Sequence, residues 1–141
     1  MRVVIDTNVI VSGFLFGGMP AEVLTLAASG VIAPCFTDAT IEEAYTTFAK
    51  PNFEKYKKGM PISVETMLYS LVREAPRFPT PIDIPAYIVR DPSDNHFLAC
   101  ALAAQAECII SGDKHLLDLK NFAGIPILTP RQFLKRFHDI R

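Results

Sequence analysis

The chain begins Met1-Arg2-Val3-Val4-Ile5-Asp6-Thr7-Asn8, a short β-branched run that ends at an aspartate and two further polar residues. Such a run predicts a buried strand over residues 2–6, and residues 7–16 then have the spacing of a helix. The same change from an apolar run to a helical pattern recurs along the chain. Three later runs predict further strands, at residues 31–36, 108–111 and 125–128.

Helical periodicity is the second pattern that organises the sequence. It predicts helices over residues 7–16, 20–29, 37–50, 62–75, 92–106, 114–120 and 130–137. A polar, basic stretch at residues 51–61 and a proline-rich connector at residues 76–85 lie between them. Short apolar strands that alternate with helices indicate a parallel sheet covered on both faces. We therefore predict an α/β fold, a three-layer α/β/α domain with a central parallel sheet of four to five strands.

The composition narrows the class of protein. The chain has 141 residues, of which 50% are hydrophobic, so it fits one folded domain over residues 1–141 and is not intrinsically disordered. Taken at face value, a net charge of −1 argues against a protein that coats nucleic acid or an anionic membrane, but it does not exclude a polyanionic substrate. The cysteines have no CxxC spacing, which excludes a zinc knuckle. Neither a signal-peptide pattern nor an apolar run of about 18 residues is present, so we expect a cytoplasmic protein that does not enter a membrane.

Two of the predicted strands are followed by an aspartate, and two predicted helices carry further acids. In parallel α/β sheets, ligands bind outside the carboxyl ends of the strands, where Asp6 and Asp113 lie. Each aspartate could equally cap the helix that follows it. Asp94 falls in a helical first turn, which favours an acid for structural reasons alone, and Glu43 could be a solvated helix residue.

Taken together, these acids indicate more than each does alone. Two carboxylates about 4 Å apart repel by about 4 kcal/mol at an effective dielectric constant near 20. If the four meet in one crevice, one of them must hold a proton or a cation must bind. An all-oxygen site suits Mg²⁺ or Mn²⁺. Such sites commonly act on phosphates, because the metal bridges a carboxylate and a phosphoryl oxygen.

Four segments of the chain resemble the PIN-domain family. They are Val4-Ile5-Asp6-Thr7-Asn8, the Glu43 helix followed by Phe48-Ala49-Lys50-Pro51-Asn52-Phe53, Arg90-Asp91-Pro92-Ser93-Asp94-Asn95 with Leu98-Ala99-Cys100-Ala101, and Ser111-Gly112-Asp113-Lys114-His115-Leu116-Leu117. Their order and spacing are similar to the branch identified with toxins of toxin–antitoxin pairs. The resemblance implies a PIN-like fold and a Mg²⁺- or Mn²⁺-dependent endoribonuclease. It also implies an RNA substrate, an antitoxin partner and a homodimer.

The resemblance also assigns residues by position. Four acids match the family's catalytic, metal-binding quartet: Asp6, Glu43, Asp94 and Asp113. Asn8 and Ser111 match its polar supporting residues. Asp91 matches an acid frequent in this branch, although a helix-capping role explains it adequately.

Two positions in this alignment need comment. Glu42 and Glu43 are adjacent, and helical periodicity does not choose between them, whereas the alignment with the family selects Glu43. His115 stands where the branch often has an aspartate. We expect that difference to change the surface beside the site rather than the metal ligands.

The densest basic stretch offers a candidate nucleic-acid contact. It comprises Lys50, Lys55, Lys57 and Lys58, interleaved with Phe53 and Tyr56. Lysines that track a backbone and aromatic rings that stack on bases are typical of single-strand binding. A solvated connector with two rings packed inward explains the same residues and is the simpler interpretation.

Two other functions fit the sequence. A metal-dependent phosphatase of another class would use Asp6 as a covalent nucleophile, but that chemistry generally needs an acid two residues later, where this chain has Asn8. A catalytically silent PIN module would bind RNA or protein without cleavage. Loss of an acid would be expected of such a module, yet all four are present.

Overall fold

A computed structural model of the chain describes residues 1–81 and 92–140. In this part of the chain the strands are β1 (Arg2–Ile5), β2 (Ala33–Pro34), β3 (Phe36–Thr37), β4 (Arg77–Phe78), β5 (Cys108–Ile110), β6 (Asn121–Phe122) and β7 (Ile125–Leu128). The helices are α1 (Thr7–Phe16), α2 (Gly18–Ala28), α3 (Asp38–Phe48), α4 (Glu54–Lys57), α5 (Val64–Arg73), α6 (Pro92–Ala104), α7 (Lys114–Leu117) and α8 (Pro130–Ile140).

Five strands form the central sheet in the order β2-β1-β5-β7-β6. Neighbouring strands run parallel, except that β6 is antiparallel to β7 at one edge. Ile5 pairs with Ile110, and Ile110 pairs with Leu128, so the three inner strands end in one row. The predicted α/β fold with a mostly parallel central sheet is therefore confirmed.

The residues of the inner strands alternate between two hydrophobic clusters, one on each face of the sheet. Val3 and Ile5 belong to one cluster, whereas Val4 and Ile109 belong to the other. Because successive side chains of a strand point to opposite faces, this division requires apolar cover on both sides. It explains why the strands are continuous apolar runs rather than alternating apolar and polar ones.

The strand predicted over residues 31–36 is two strands in the structure. Ala33–Pro34 pairs with β1 at the edge of the main sheet, and Phe36–Thr37 pairs with β4 in a separate two-stranded sheet. Pro34 has no N–H to donate to a further neighbour, which suits an edge position. The N–H of Cys35 bonds to Val3, and that of Phe36 bonds to Pro76, so the chain changes partner between these two residues.

The edge strand β6 was not predicted. It pairs with β7 through Phe122 and Ile125, which are joined by Ala123 and Gly124. Both loop residues have positive φ, 52° and 84°, as a type I′ hairpin turn requires. An Asn-Gly pair would have marked this turn in the sequence, but alanine at its first position hides it.

The predicted helices are confirmed with shifted ends, and one short helix is new. The helix predicted over residues 20–29 begins earlier, at Gly18, and the one predicted over residues 130–137 continues to Ile140. The basic stretch at residues 51–61 contains a 3-10 turn, Pro51–Phe53, followed by α4. No single helix in the described part of the chain is long and apolar enough to cross a membrane, and α1 and α2 reach that length only as a pair bent by 103°.

Gly13 allows α1 and α2 to pack closely. A Cβ atom at this position would overlap the Cδ1 of Leu24 and lie 3.1 Å from the carbonyl carbon of Pro20. Since Gly13 is helical, its backbone does not need glycine. The absence of a side chain is what the packing needs.

We expect Gly13→Ala to lower the free energy of unfolding by about 1–2 kcal/mol, because the added methyl group overpacks the helix junction. Urea unfolding measures this. The sign is informative, since helix propensity alone would make alanine stabilising by about 1 kcal/mol. A stabilised Gly13→Ala protein would contradict the close packing of α1 and α2.

Candidate metal centre

The candidate site lies where the three inner strands end. Asp6 follows β1 directly and Ser111 follows β5 directly. The N–H of Asp6 donates to Ile110, and the N–H of Ser111 donates to Leu128, so the sheet pairing continues one residue past the strands. This pairing fixes both side chains on the rigid carboxyl edge of the sheet.

Asp6 is held by two hydrogen bonds in a buried position. Its side chain is only 3% exposed. The Ser111 hydroxyl donates to Oδ2 of Asp6 over 2.7 Å, and the N–H of Asn8 donates to Oδ1 over 3.4 Å. The second bond makes Asp6 the N-cap of α1. The carboxylate is therefore both a helix cap and part of a polar cluster.

Ser111 joins the two strand-end aspartates. Its hydroxyl accepts a 2.9 Å hydrogen bond from the N–H of Asp113 while it donates to Asp6. Asp113 in turn caps α7, because its Oδ1 accepts from the N–H of His115 over 2.7 Å. Ser111 is completely buried. One hydroxyl group thus sets the relative position of both acids.

Burial and like charges act together on Asp6. The pKa of Asp6 is raised from 3.8 to about 6, mainly by desolvation, and the charges of Asp113 and Glu43 contribute to the same shift. The hydrogen bonds from Ser111 and Asn8 oppose this shift. Without a bound cation, ionisation of Asp6 therefore costs folding free energy. A cation near the carboxylate would reduce that cost.

Glu43 comes to the site from α3. It is half-buried, and its Oε1 accepts a 3.4 Å hydrogen bond from the hydroxyl of Thr47, one turn later. Glu42 is exposed instead. Of these two neighbouring acids, Glu43 is the one whose charge acts on Asp6.

Asp94 is buried at the start of α6. It is 3% exposed and lies in the first turn of this helix, which packs against β1 and β5. The sequence prediction for Asp91 falls outside the described residues. Asn8 is exposed and contributes its backbone N–H to Asp6, whereas its predicted supporting role concerned the side chain.

The acids are not gathered into a metal site of three or more ligands in the described part of the chain. Across residues 1–81 and 92–140, no three His, Cys, Asp or Glu side chains are grouped closely enough to hold a metal ion. The donor chemistry still fits a hard divalent cation, because the polar atoms around Asp6 are carboxylate and hydroxyl oxygens. A metal ion with three of these acids as ligands would require their side chains to come closer together.

Thr7 is a polar residue of this region that the sequence did not single out. It is 3% exposed, and its hydroxyl has no hydrogen-bond partner among the described residues. A buried hydroxyl group generally has a partner. In the sequence, the only signal for a role of Thr7 is its position directly after Asp6.

The four lysines of the basic stretch have different surroundings. Lys57 is ion-paired to Glu54 at 3.3 Å and lies 3.7 Å from Glu65. Lys55 lies over the ring of Tyr56, with its Nζ 5.0 Å from the ring centroid. Lys50 and Lys58 are exposed.

The two aromatic residues of this stretch differ in burial. Phe53 is partly buried against the core, as the connector interpretation expected. Tyr56 is 41% exposed and meets the exposed ring of Phe16 edge to face at 4.8 Å. The stretch thus lies beside the carboxyl-terminal end of α1.

The hydroxyl of Ser111 allows a direct test of this cluster. We expect Ser111→Ala to lower the free energy of unfolding by about 1–2 kcal/mol at pH 8, because buried Asp6 then loses a hydrogen bond to its ionised form. The loss should be smaller at pH 4, where Asp6 is protonated.

Urea unfolding at both pH values measures the effect of Ser111→Ala. Ser29→Ala is the matched control, since the Ser29 hydroxyl is exposed and bonds to the backbone of Thr25. An equal loss at both pH values would mean that Ser111 does not act through the charge of Asp6.

Comparisons with known proteins identify the family and the fold. A family model described as "PIN domain" matches residues 2–115. No curated protein matches the chain significantly in sequence. Among solved structures, a chain in the crystal structure of VapBC2 from Rickettsia felis, bound to a DNA fragment from its promoter, is similar in fold, with a TM-score of 0.59 and 12% identity. The match covers 90% of this chain and 97% of that one.

Proposed function

Because this chain belongs to the PIN-domain family, we propose that it is a Mg²⁺- or Mn²⁺-dependent endoribonuclease and the toxin of a toxin–antitoxin pair. PIN domains are generally nucleases. The observation that carries the proposal is the buried carboxylate of Asp6, which shares Ser111 with Asp113 at the carboxyl edge of the sheet. Burial and the charges of Asp113 and Glu43 disfavour the ionised form of Asp6, and a bound cation would offset this.

The proposed metal ligands are Asp6, Asp94 and Asp113, with Glu43 completing the site. A bound divalent cation supplies Lewis-acid activation of a water molecule and of the scissile phosphate. The protein's part is to hold the ligands. The hydroxyl of Ser111 orients Oδ2 of Asp6. The same hydroxyl binds the N–H of Asp113 and so positions the backbone of the second acid.

An antitoxin partner and a homodimer remain part of this proposal. The similar fold in VapBC2, a toxin–antitoxin complex whose crystal structure contains a DNA fragment from its promoter, supports a protein partner. This chain also has an open apolar groove of about 370 Å³ between α1, α2 and α5. Phe14, Leu24, Met67 and Leu71 line the groove, and exposed Ile62 stands at its rim. An apolar segment of a partner protein would fit this surface. A cytoplasmic location is proposed with the same function.

The phosphatase alternative is less well supported. A phosphatase with Asp6 as its nucleophile generally needs an acid two residues later. The residue two positions later is Asn8, which is exposed and cannot serve as an acid. The silent-module alternative keeps the fold and loses only the metal chemistry.

A cleavage assay on defined single-stranded RNAs tests the proposal. We expect cleavage with Mn²⁺ or Mg²⁺ and none after the metal is removed with EDTA. A phosphate trapped covalently on Asp6 would instead establish the phosphatase. RNA binding with no cleavage under any metal would establish the silent module.

A further inference from the structure

Two exposed cations stand beside the acids at the carboxyl edge of the sheet. Lys114 follows Asp113 directly, and Arg131 lies in the first turn of α8, just after β7. Both side chains are exposed, and neither forms a salt bridge to any residue that the structure describes. Their charges are therefore available to a ligand.

The register of the sheet gives the backbone separation between the end of β1 and the residue before α8. Ile5, Ile110 and Leu128 form one row across β1, β5 and β7, so Asp6 and Thr129 are two strand spacings apart. Strands lie about 4.8 Å apart, which places Thr129 about 10 Å from Asp6. Arg131 follows two residues later.

Local hydrogen bonds fix the backbone positions of Lys114 and Arg131. The N–H of Gln132 donates to the hydroxyl of Thr129 over 3.1 Å, and the N–H of Thr129 donates to Oε1 of Gln132 over 3.0 Å. This reciprocal pair is a capping box, which holds the first turn of α8 and the backbone of Arg131 in place. The backbone of Lys114 lies between two anchored residues, because Asp113 and His115 are joined through the 2.7 Å cap.

We propose that Lys114 and Arg131 bind phosphate groups of a single-stranded RNA on the β5–β7 side of the acidic cluster. The proposal rests on the ribonuclease function proposed above. It adds the side of the acidic cluster along which the RNA lies. Exposed His115 adds a hydrogen-bond donor on the same rim. Arg131 lies beyond residues 2–115, so the family match does not assign this role.

Lys55 and Lys58 are the competing location, and they lie beside the end of α1 that is remote from Asp6. Asp6 caps the start of α1, and Tyr56 contacts Phe16 at its end. A ten-residue helix is about 15 Å long, so Lys55 and Lys58 stand about one helix length from Asp6. Lys57 is already neutralised by Glu54 and Glu65.

The test compares two double variants with the same change of charge. Lys114→Ala/Arg131→Ala removes the proposed contacts, and Lys55→Ala/Lys58→Ala removes the competing ones. Binding of a fluorescein-labelled single-stranded RNA is followed by anisotropy in EDTA over a series of salt concentrations. Cleavage of the same RNA with Mn²⁺ is measured in parallel.

We expect Lys114→Ala/Arg131→Ala to weaken RNA binding about tenfold and to reduce the salt slope by about 1.4, since each phosphate contact to a single strand contributes about 0.7. Lys55→Ala/Lys58→Ala should change neither quantity. In cleavage, the first variant should raise KM more than it lowers kcat.

Three results would overturn the proposal. They are unchanged binding by Lys114→Ala/Arg131→Ala, an equal loss in both variants, and a loss confined to Lys55→Ala/Lys58→Ala. If the unaltered protein cleaves RNA in these cases, the ribonuclease function stands and only the assigned contacts are wrong. If the unaltered protein neither binds nor cleaves RNA, both proposals fail together.

Discussion

Asp6→Asn is expected to reduce Mn²⁺-dependent RNA cleavage by about a thousandfold or more. The substitution keeps the size of the side chain, and asparagine is as good an N-cap as aspartate, so α1 and the sheet should be retained. What is lost is one negative oxygen ligand at the buried centre of the cluster. A hard divalent cation depends on such ligands, and the water activation that it supplies is lost with it.

The measurement is the initial rate of cleavage of a defined single-stranded RNA at saturating Mn²⁺. Asp94→Asn should show a similar loss, as a second proposed ligand. Asp118→Asn is the matched control, because Asp118 is an exposed acid in the segment that follows Asp113 and α7. The proposed mechanism is wrong if Asp6→Asn and Asp94→Asn cleave at the rate of the unaltered protein. Equal losses in all three variants would point to general charge rather than to ligands.

The same substitution is expected to stabilise the metal-free protein at pH 8. Asp6 has a pKa of about 6 in the folded protein, compared with 3.8 as its ordinary value. Between these two pH values the folded chain binds more protons than the unfolded chain, so stability falls as the pH rises. Above pH 6 the full cost of the ionised side chain is present, about 3 kcal/mol. Asparagine has no charge and avoids that cost.

Urea unfolding in EDTA tests this prediction. Relative to the unaltered protein, Asp6→Asn should gain about 3 kcal/mol more at pH 8 than at pH 4. Adding Mn²⁺ at pH 8 should stabilise the unaltered protein, through binding to the folded state, and leave Asp6→Asn almost unchanged. Asp118→Asn should show no comparable dependence on pH. A pH-independent effect of Asp6→Asn would mean that Asp6 carries no desolvation cost.

Much of the architecture could be predicted because the inner strands are buried on both faces. Continuous apolar runs of this kind have few other interpretations, and β7 in particular matches the predicted residues 125–128. The features that were missed depend on local backbone geometry. Phe36 bonds to Pro76 rather than to β1, and Ala123 adopts a positive φ. Both features depend on contacts that residue spacing does not predict.

At the candidate site, the sequence left Asp6 and Asp113 open as either helix caps or functional acids. Both are caps in the structure, and Ser111 joins the carboxylate of Asp6 to the backbone N–H of Asp113. A position directly after a parallel strand serves both purposes. The central place of Ser111 could not be predicted from spacing, because its two bonds depend on the pairing of β1 with β5.

The hydrogen bond between Ser111 and Asp6 joins residues 105 positions apart. During synthesis on the ribosome, the amino-terminal part of the chain emerges first and can pair β1 only with β2 until β5 follows. Contacts of such long sequence separation form late, because the intervening chain must be ordered first. Asp6 therefore has no ordered partner beside β5 until synthesis has reached Ser111, in the last quarter of the chain. The hydrogen-bonded cluster at Asp6 is assembled only when the fold is nearly complete.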